Sequence, residues 1–426
     1  PAEHVWTCDI STASIDWIRK VLPKTPILED LSARTFHEKA IVGKDVDGNT
    51  VSITRQAADL DIYMAGFMCS PFSSAGEGYK QGYNQGWGDD AAVTFFNAIK
   101  TILVMQPRGV ILENVPQVTN KTNIDRLMST LNALQKYRWK LLRLRSQDFD
   151  VPQDRDRIYI VGLLLQDGVD EPSATEARLA TVEKQVVAMK LSRCSPVSSW
   201  PVFLSKAGLP MTPLPPGSGV ALAPCKMCDG KKPLACLVHP CSCLKCTTHG
   251  TKAKKCLWRR HLVKWHAAHD KDFRKYAKTW RQVKKTKFGE LTEVPSYYML
   301  GAAKKMRVPQ LLQNSPRVRS CIAAWSSIRN LLTENTLWNS SQAVNRCTPR
   351  DDGSCPTLTT SCGRLFAPKY GCFLSPTQCL ALQGLDPKTL PHDDFSENAL
   401  YTLVGMGMTG PVVGSVMTAV IGQLPL

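Results

Sequence analysis

A cysteine in the stretch MAGFMCSPFSSAG (residues 64–76) stands where a reactive group could be exposed. The residues DIYMAGF (61–67) alternate as a buried strand does, and CSPFSSAG then supplies turn residues. Cys69 is therefore predicted to lie where a strand ends and a loop begins, a place where α/β folds expose reactive side chains. Its thiol could act as a nucleophile, although a lone cysteine at such a place is more often a packed structural residue.

Further residues suited to chemistry follow Cys69 along the chain. They are Glu113 and Asn114 at the end of GVILENV (109–115), Arg155 and Arg157 within QDRDR (153–157), and a glycine turn entering an apolar helix in LVGMGMTGPVVGSVMTAVI (403–421). The carboxyl ends of strands are where open α/β sheets bind ligands, which favours a functional role for Glu113. Glu113 could instead cap a helix, and the two arginines could form surface ion pairs with Asp154 and Asp156.

Alternating apolar strands and helically spaced segments must position these residues. Strands are predicted at 4–10, 61–67, 109–115 and 157–165, and helices at 15–22, 91–105 and 124–137. Strands separated by helices of this length predict an α/β fold with a doubly wound, mostly parallel sheet. We expect 1–165 to form a catalytic part, 166–345 to be an inserted cysteine-rich recognition domain, and 346–426 to return to the catalytic domain. The uncharged stretch 398–426 is interrupted by glycines and a proline, so we interpret it as a buried loop and helix rather than a membrane span.

Positive charge is concentrated within the insertion. Residues 226–287 contain 18 lysines and arginines against 3 acidic residues, and the whole chain has a formal net charge of +17. Aromatic residues such as Trp258 and Trp265 are interleaved with the basic ones. This composition predicts a nucleic-acid partner, with a solvated basic face as the alternative.

Cysteines and histidines also cluster in the insertion. Seven of the 16 cysteines lie between Cys225 and Cys256, and paired Cys-x-x-Cys with a second Cys/His group is a zinc spacing. We expect one tetrahedral zinc site built from Cys225 and Cys228 with two of Cys241, Cys243, Cys246 and His249. Zinc would order a lysine-rich segment that is poor in core residues. The alternative is a set of reduced surface cysteines.

Taken in order, these motifs resemble those of the DNA (cytosine-5) methyltransferase family. FMCSPFSSAG resembles its Pro-Cys-Gln loop, LENV its Glu-Asn-Val motif, and QDFDVPQDRDRIYIVG its Gln-x-Arg-x-Arg motif. CPTLTTSCGRLF (355–366), SPTQCLALQGL (375–385) and LVGMGMTGPVVG resemble its closing segments. The resemblance covers 4–165 and 346–426, and the basic insertion falls where the family has its variable target-recognition region.

The resemblance implies a role for each matched catalytic residue. Cys69 is the nucleophile whose thiolate adds to C6 of cytosine, because C5 is not nucleophilic until that bond forms. Glu113 protonates or hydrogen-bonds N3 of the base. Arg155 and Arg157 hold the flipped base and neighbouring phosphates through bidentate bonding.

S-adenosylmethionine is the cofactor that the resemblance implies, as the source of the methyl group for C5. Asp9 in TCDIS would bond its ribose hydroxyls, and Asp30 in LEDLS its adenine amino group. Asp30 could instead cap a helix. Gly405 and Met406 belong to the closing turn beside the cofactor.

The chain departs from the family pattern in three places. The family's Phe-x-Gly-x-Gly loop is absent, and we expect it to lie upstream of Pro1. Met68 stands where the family has a proline before the nucleophile, and Ser70 replaces the glutamine after it. Loss of the proline predicts a less rigid loop and a slower reaction. Met406 replaces the asparagine of the closing turn, which removes one polar contact on the cofactor side.

From the resemblance we expect an S-adenosylmethionine-dependent DNA (cytosine-5-)-methyltransferase that acts on double-stranded DNA and does not bind a membrane. An RNA cytosine methyltransferase and a catalytically silent DNA-binding relative are the alternatives. The expected compartment is the nucleus in a eukaryote and the cytoplasm otherwise.

The basic insertion yields a prediction about salt. If its cations contact DNA at about six phosphates, log affinity should fall with log salt concentration at a slope near −5, because each contact releases counterions. Deleting 220–290 should remove most of that slope, and a zinc chelator should have the same effect if zinc orders the surface. A titration in which the deletion leaves the slope intact would show that the insertion is only a solvated face.

Overall fold

The computed structural model describes residues 3–28, 30, 33–55, 59–73, 86–88, 90–165, 172–192, 198–211, 333–340, 350–360, 363, 365–370 and 372–424. The chain divides into two compact units. The first contains Pro1–Val197 and Gln383–Leu426, and the second contains Ser198–Leu382. The structure thus draws the boundaries near 197 and 383, whereas the sequence analysis placed them at 166 and 346.

The strands of the first unit are short except at its centre. In chain order they are β1 (Thr7–Cys8), β2 (Ile27–Leu28), β3 (Thr35–Phe36), β4 (Ala40–Lys44), β5 (Thr50–Thr54), β6 (Ile62–Gly66), β7 (Gly109–Asn114), β8 (Tyr137–Arg145), β9 (Gln153–Asp154) and β10 (Asp156–Leu164). The helices of the first unit before the insertion are α1 (Thr12–Val21), α2 (Val93–Met105), α3 (Lys121–Asn132) and α4 (Pro172–Ser192). Each strand and helix predicted from the sequence is present among them, with ends shifted by a few residues.

The described central sheet is mixed, so the expectation of a mostly parallel sheet is wrong there. Its order is β6-β7-β10-β8. Only β6 and β7 are parallel, and β10 runs antiparallel to both β7 and β8. The sequence analysis assigned no strand to 138–145. β8 is joined to β10 without an intervening α-helix, and such a connection gives antiparallel neighbours.

Two smaller sheets precede the central one. β1 and β2 pair in parallel, as a βαβ connection through α1 requires. β3, β4 and β5 form an antiparallel meander that the sequence analysis did not predict. Its tight turn is held by the Asp45 carboxylate, which accepts hydrogen bonds from the backbone N–H groups of Asp47 (3.0 Å) and Asn49 (2.8 Å).

Helices cover both faces of the central sheet, which confirms the doubly wound arrangement. On one face Leu112 and Ile160 pack with residues of α2 and α3, such as Phe95 and Leu127. On the other face Ile111 and Tyr159 belong to a separate buried cluster with residues of α4. Burial of Leu179, Val182 and Val186 in that cluster is why α4 belongs to the first unit rather than to the insertion.

After residue 383 the chain returns to the first unit. It forms α7 (Glu397–Met406) and α8 (Gly410–Ile421), after the second unit has contributed α5 (Trp200–Lys206) and α6 (Pro376–Ala381). Val412 and Val416 of α8 join the same buried cluster as α4. Among the described helices, none is by itself long and apolar enough to cross a membrane; α7 and α8 pass that test only as a pair bent by 43°.

The second unit is described only in part. Its strands are β11 (Trp338–Asn339), β12 (Cys355–Pro356), β13 (Leu365–Ala367) and β14 (Cys372–Phe373). β13 pairs antiparallel with β11 and β14. Trp200 of α5 is wholly buried and donates from Nε1 to the carbonyl of Asn335 (2.9 Å). α6 begins with a capping box formed by Ser375 and Gln378.

Two glycines allow a matched test of this packing. A Cβ at Gly162 would lie 2.4 Å from the Trp139 ring on β8, whereas a Cβ at Gly414 on α8 would meet nothing within 4 Å. We expect Gly162→Ala to destabilise the fold by about 1–3 kcal/mol through overpacking. Gly414→Ala should stabilise it by about 0.5–1 kcal/mol, because alanine is the better helix former. Denaturant midpoints measure both, and equal effects of the two substitutions would contradict the described strand register.

Candidate active site

Cys69 lies at the tip of a loop that is anchored on both sides. β6 ends at Gly66, and Phe67 and Phe72 are both buried with ring centroids 6.2 Å apart. The Cys69 carbonyl accepts from the backbone N–H groups of Phe72 (3.0 Å) and Ser73 (2.8 Å), which closes a tight turn. Cys69 itself is exposed. Two buried aromatic residues thus hold an exposed thiol in place, as the strand-to-loop pattern predicted.

Asn114 ties this loop to the neighbouring strand β7. Its side chain is wholly buried, and Nδ2 donates to the carbonyl of Phe67 at 2.9 Å. Oδ1 accepts from the backbone N–H of Val115 at 2.8 Å. Because both ends of the amide are used, Asn114 satisfies two buried backbone groups that would otherwise be costly. The position of the Cys69 loop therefore depends on the end of β7.

Met68 shows how the loop is held without the family's proline. Its backbone N–H donates to Thr94 Oγ1 on α2 at 3.1 Å, while its side chain is 49% exposed. Proline has no N–H and could not make this bond. A hydrogen bond to a helix thus restrains the backbone before the nucleophile, while the less rigid loop expected from the loss of proline stays a prediction.

Glu113 forms the centre of a buried charged cluster. Its Oε1 lies 2.9 Å from Arg157 Nε and 3.8 Å from Arg155 Nη2. The side chains of Glu113 and Arg155 are 11% and 5% exposed. The alternative of surface ion pairs with the flanking aspartates does not describe these arginines, and Asp156 pairs instead with Arg143 (2.6 Å).

Burial changes the acidity of Arg155 without removing its charge. Desolvation, followed by the nearby Arg157 cation, lowers the pKa of Arg155 to about 10. That value is still far above neutral, so Arg155 is a cation at physiological pH. Cys69 is close enough to Arg155 for its charge to raise the pKa of that guanidinium. The structure therefore brings Cys69, Glu113, Arg155 and Arg157 together at one edge of the sheet.

The backbone of Gly66 passes beside the Glu113 carboxylate. A Cβ at Gly66 would stand 3.7 Å from Glu113 Oε2 and 3.1 Å from Met408 Cε. Glycine at position 66 thus lets the Met408 side chain and the Glu113 carboxylate both lie close to the end of β6. Met408 belongs to the segment between α7 and α8, so the closing turn also reaches the end of β6.

Asp9 and Asp30 lie after two adjacent parallel strands, β1 and β2. Asp9 Oδ1 accepts from the backbone N–H of Ser11 at 2.8 Å, just before α1. Because the strands are parallel, their carboxyl ends place both aspartates at the same edge. Two carboxylates at such an edge fit the hydroxyl and amino donors of an adenosine, so the residues present suit S-adenosylmethionine.

The remaining residues predicted for the cofactor side are at the end of α7. Gly405 is half-buried and Met406 is 44% exposed. The next residue, Gly407, ends the helix with its N–H donating to the carbonyl of Leu403 at 2.9 Å. The structure places both residues at a helix end rather than in a loop. Their contact with the cofactor remains a prediction.

The predicted zinc ligands, Cys225, Cys228, Cys241, Cys243, Cys246 and His249, lie outside the described residues. Within the described ranges, no group of three or more His, Cys, Asp or Glu side chains could hold a metal ion. Zinc therefore stays a prediction for the insertion.

Sequence reasoning gave no role to two buried polar residues of the first unit. Arg34 is 8% exposed, and its guanidinium hydrogen-bonds the half-buried thiol of Cys8, whose pKa burial raises. Gln383 is wholly buried and was noted only as part of the stretch LQGL. No spacing signal marks either residue, because each is identified by contacts with segments distant in sequence.

Comparison with known proteins defines the class of this chain. The crystal structure of the S. pombe Dnmt2 methyltransferase matches with a TM-score of 0.50 at 12% identity, covering 100% of this chain and 93% of that one. At this identity the likeness shows the fold alone: the chain has a methyltransferase fold.

Sequence matches over part of the chain agree with the motifs. Residues 29–196 match the family model of C-5 cytosine-specific DNA methylase. Type II methyltransferase M.NlaX of Neisseria lactamica is 37% identical over 111 residues, 26% of this chain and 34% of that protein. Type II methyltransferase M.NgoBI of Neisseria gonorrhoeae is 38% identical over 106 residues, 24% of this chain and 32% of that protein. The match thus spans about a third of the length of each relative. Residues 29–196 are thus similar to the C-5 cytosine-specific DNA methylase family, in agreement with the resemblance seen in the motifs.

Exposure of the cysteines gives a prediction that needs no substrate. Cys355 and Cys379 are buried, and burial raises the pKa of the Cys8 and Cys372 thiols. Exposed Cys69 should therefore react with iodoacetamide at least ~10-fold faster than these four, since exposure and thiolate fraction control the rate. Peptide-resolved mass spectrometry measures each rate. Slower labelling of Cys69 than of Cys8 would contradict the described loop.

Proposed function

We propose that this chain is a DNA (cytosine-5-)-methyltransferase that acts on double-stranded DNA through a covalent Cys69 adduct. The observation that carries the proposal is the exposed Cys69 thiol beside the buried cluster of Glu113, Arg155 and Arg157. A nucleophile, a carboxylate and two cations at one sheet edge are what addition to a cytosine ring requires. The family match over 29–196 supports the same reaction.

Cys69 would act first, as the nucleophile. Its sulfur forms a bond to C6 of the base, and the electron pair of the C5–C6 double bond moves to C5. A base inside a duplex cannot be reached by this loop, so the target base must be turned out of the stack. The anchors at Phe67 and Phe72 keep the sulfur at a fixed height above the sheet edge, which favours a single attack geometry.

Glu113 would act on the opposite side of the ring from the attacked bond, at N3. Its Oε1 is engaged by Arg157, so Oε2 on the Gly66 side is the oxygen that can meet the base. A hydrogen bond between this carboxyl group and N3 would draw electron density from the ring as sulfur adds. Arg155 and Arg157 fix the carboxylate and offer donors to the base carbonyl and phosphates.

S-adenosylmethionine, when bound, supplies an electrophilic methyl group for C5. Asp9 and Asp30 would hold its adenosine, and the turn after Met406 would lie on the same side. The proton of C5 must then leave, and the Cys69 sulfur departs from C6 as the double bond re-forms. Cys69 thus returns to its starting thiolate.

A catalytically silent DNA-binding relative is the second candidate, and it rests on a specific observation. Met406, which stands where the family has asparagine, is 44% exposed and supplies no polar side-chain contact on the cofactor side. Under this alternative the basic residues 226–287 would still bind DNA, because that property does not depend on Cys69. Trapping of an adduct separates the two candidates.

The test uses duplex DNA that carries 5-fluorocytosine, together with S-adenosylmethionine. Fluorine cannot leave C5 as a proton does, so an active enzyme should stay covalently bound. Cys69→Ser should abolish the adduct because a hydroxyl is a far poorer nucleophile, and Glu113→Gln should slow its formation by about 10²-fold or more. Cys372→Ser, in the second unit, is the matched control and should behave as wild type.

Each result has a distinct meaning. No adduct from a wild-type protein that binds the duplex would favour the silent relative. An adduct that persists in Cys69→Ser would place the nucleophile elsewhere. A parallel arm with 5-fluorocytosine in RNA tests the alternative substrate, and adduct formation there but not on the duplex would assign the activity to RNA.

A further inference from the structure

Four buried polar side chains form a continuous hydrogen-bonded chain inside the first unit. Ser146, Gln153, Gln383 and Thr409 are each no more than 1% exposed. Ser146 and Gln153 belong to the loop between β8 and β10, which leads into Arg155. Gln383 and Thr409 come from the closing part of the chain. The two bonds between these segments span 230 and 263 residues, so this cluster joins parts far apart in the chain.

Gln383 is the centre of the cluster. Its Oε1 accepts from Gln153 Nε2 (3.1 Å) and from Thr409 Oγ1 (3.2 Å). Its Nε2 donates to the carbonyls of Val404 (2.6 Å) and Gly407 (3.2 Å). Carbonyls only accept, which fixes the orientation of the amide and assigns Thr409 as the donor to Oε1. Thr409 Oγ1 then accepts from Ser146 Oγ, 2.9 Å away.

One end of the cluster holds the backbone of Arg155. The backbone N–H of Ser146 donates to the Arg155 carbonyl at 3.0 Å, and the N–H of Arg155 donates to the Gln153 carbonyl at 2.9 Å. Both backbone groups of Arg155 are therefore fixed by residues of the cluster. Arg155 and Arg157 flank Glu113. The hydrogen bonds at this end of the cluster therefore determine the position of the cations proposed to bind the base.

The other end holds the turn predicted to face the cofactor. The carbonyls of Val404 and Gly407, which Gln383 binds, lie on either side of Gly405 and Met406. A single amide thus bridges the two halves of the site. Among the described residues, the recorded hydrogen bonds of the Gln383 side chain go to none of the catalytic side chains or predicted cofactor residues, so its effect on them acts through backbone position.

The turn after Gln383 leaves little room for independent movement of the two halves. Gly384 has φ +74°, and a Cβ there would lie 2.2 Å from Pro411 Cδ and 3.2 Å from Val151 Cγ2. The Gln383 carbonyl also accepts from the N–H of Gly410 at 2.9 Å. Val151, which precedes Arg155 in the chain, and Pro411 at the start of α8 therefore both pack against this turn. Closely packed segments cannot compress, so a displacement of one of them moves the other.

We propose that Gln383 is a positioning residue that couples the cofactor side of the site to the base-binding arginines. The proposal rests on the proposed function for the identity of the two ligands. The oxygen and the nitrogen of the buried Gln383 amide are both fully bonded, which strongly disfavours partial breakage, since each freed polar group loses its bond without gaining water. A cofactor that orders residues 404–407 therefore also orders Arg155. By thermodynamic linkage, DNA that orders Arg155 strengthens cofactor binding to the same extent.

The coupling is measured by the affinity of duplex DNA with and without saturating S-adenosylhomocysteine. This product lacks the transferable methyl group and so reports binding alone. Wild-type protein should bind the duplex about 10-fold tighter with it present, the middle of the usual range for coupled sites. In Gln383→Leu and in Thr409→Val the ratio should fall below about 2-fold. A folded Gln383→Leu protein that keeps the wild-type ratio would overturn the proposal.

A matched control separates coupling from general loss of stability. Val416→Ala removes buried volume from α8 but touches none of the four polar residues, so it should lower the melting temperature and keep the coupling ratio. Gln383→Glu is the conservative variant. Ionised, its carboxylate repels the Val404 and Gly407 carbonyls; protonated, it can donate to one of them. Its melting deficit against wild type should therefore shrink as pH falls, which a purely steric role would not produce.

Hydrogen exchange without any ligand tests the same device, independently of the proposed function. Gln153→Leu alters only the arginine side, yet it should speed exchange of the amides of 404–410 on the other side at least ~3-fold, since the segments open as one unit. Val416→Ala should not speed amide exchange at 404–410 more than it speeds exchange in the rest of the first unit. An unchanged rate at 404–410 in Gln153→Leu would overturn the coupling whatever the ligands do. If the variants show this exchange pattern while wild-type protein binds neither ligand, the proposed function alone would be refuted.

Discussion

The direction of β10 is the constraint on which the site depends. β10 runs antiparallel to β7, so the residues that precede β10 lie beside the residues that end β7. The register pairs Tyr159 with Glu113, and Arg157 then falls just beyond the last paired residue of β7. A parallel β10 would carry Arg155 and Arg157 to the opposite edge, about 20 Å away along the six residues of β7. One antiparallel strand therefore decides whether a carboxylate and two cations meet.

That meeting would be unfavourable unless the charges were balanced. Glu113 offers one negative charge to two arginines, with side chains between 5% and 16% exposed. Removing such groups from water costs several kcal/mol for each ion, and the pairing recovers only part of that cost. The cluster keeps an excess positive charge in a poorly hydrated place, which favours an electron-rich or anionic partner at the sheet edge. The presence of this charged cluster is therefore explained by binding of such a partner rather than by a contribution to stability.

Sequence alone was sufficient wherever the signal was local. Cys69 and Glu113 follow apolar strands, and strand ends are visible in the order of residue types. The strand 137–145 was missed because its basic and apolar residues alternate directly after a helix, and without it the sheet was predicted as mostly parallel. The meander 35–54 was also missed, although the Asp47-Gly48 pair in its turn is a hairpin signal.

The pairing of β10 with β7, and the contacts of Gln383 and Arg34, could not be predicted from the sequence. Each depends on partners far along the chain, and no periodicity marks them. The resemblance to a family brought the two arginines and Glu113 into one site before any geometry was known. It did not show how they meet, because a motif order carries no information on strand direction.

Met68 shows that the backbone before the nucleophile can be restrained without the proline that is usual in the family. Proline restricts the backbone before the nucleophile by fixing φ, and it does so without a hydrogen bond. Met68 lacks that restriction, yet its N–H donates to Thr94 Oγ1, and the Cys69 carbonyl accepts from the N–H groups of Phe72 and Ser73. Proline at this place would leave the Thr94 hydroxyl without that donor. Loss of the proline therefore argues less for a silent protein than the sequence alone suggests, because the backbone around Cys69 is fixed by other bonds.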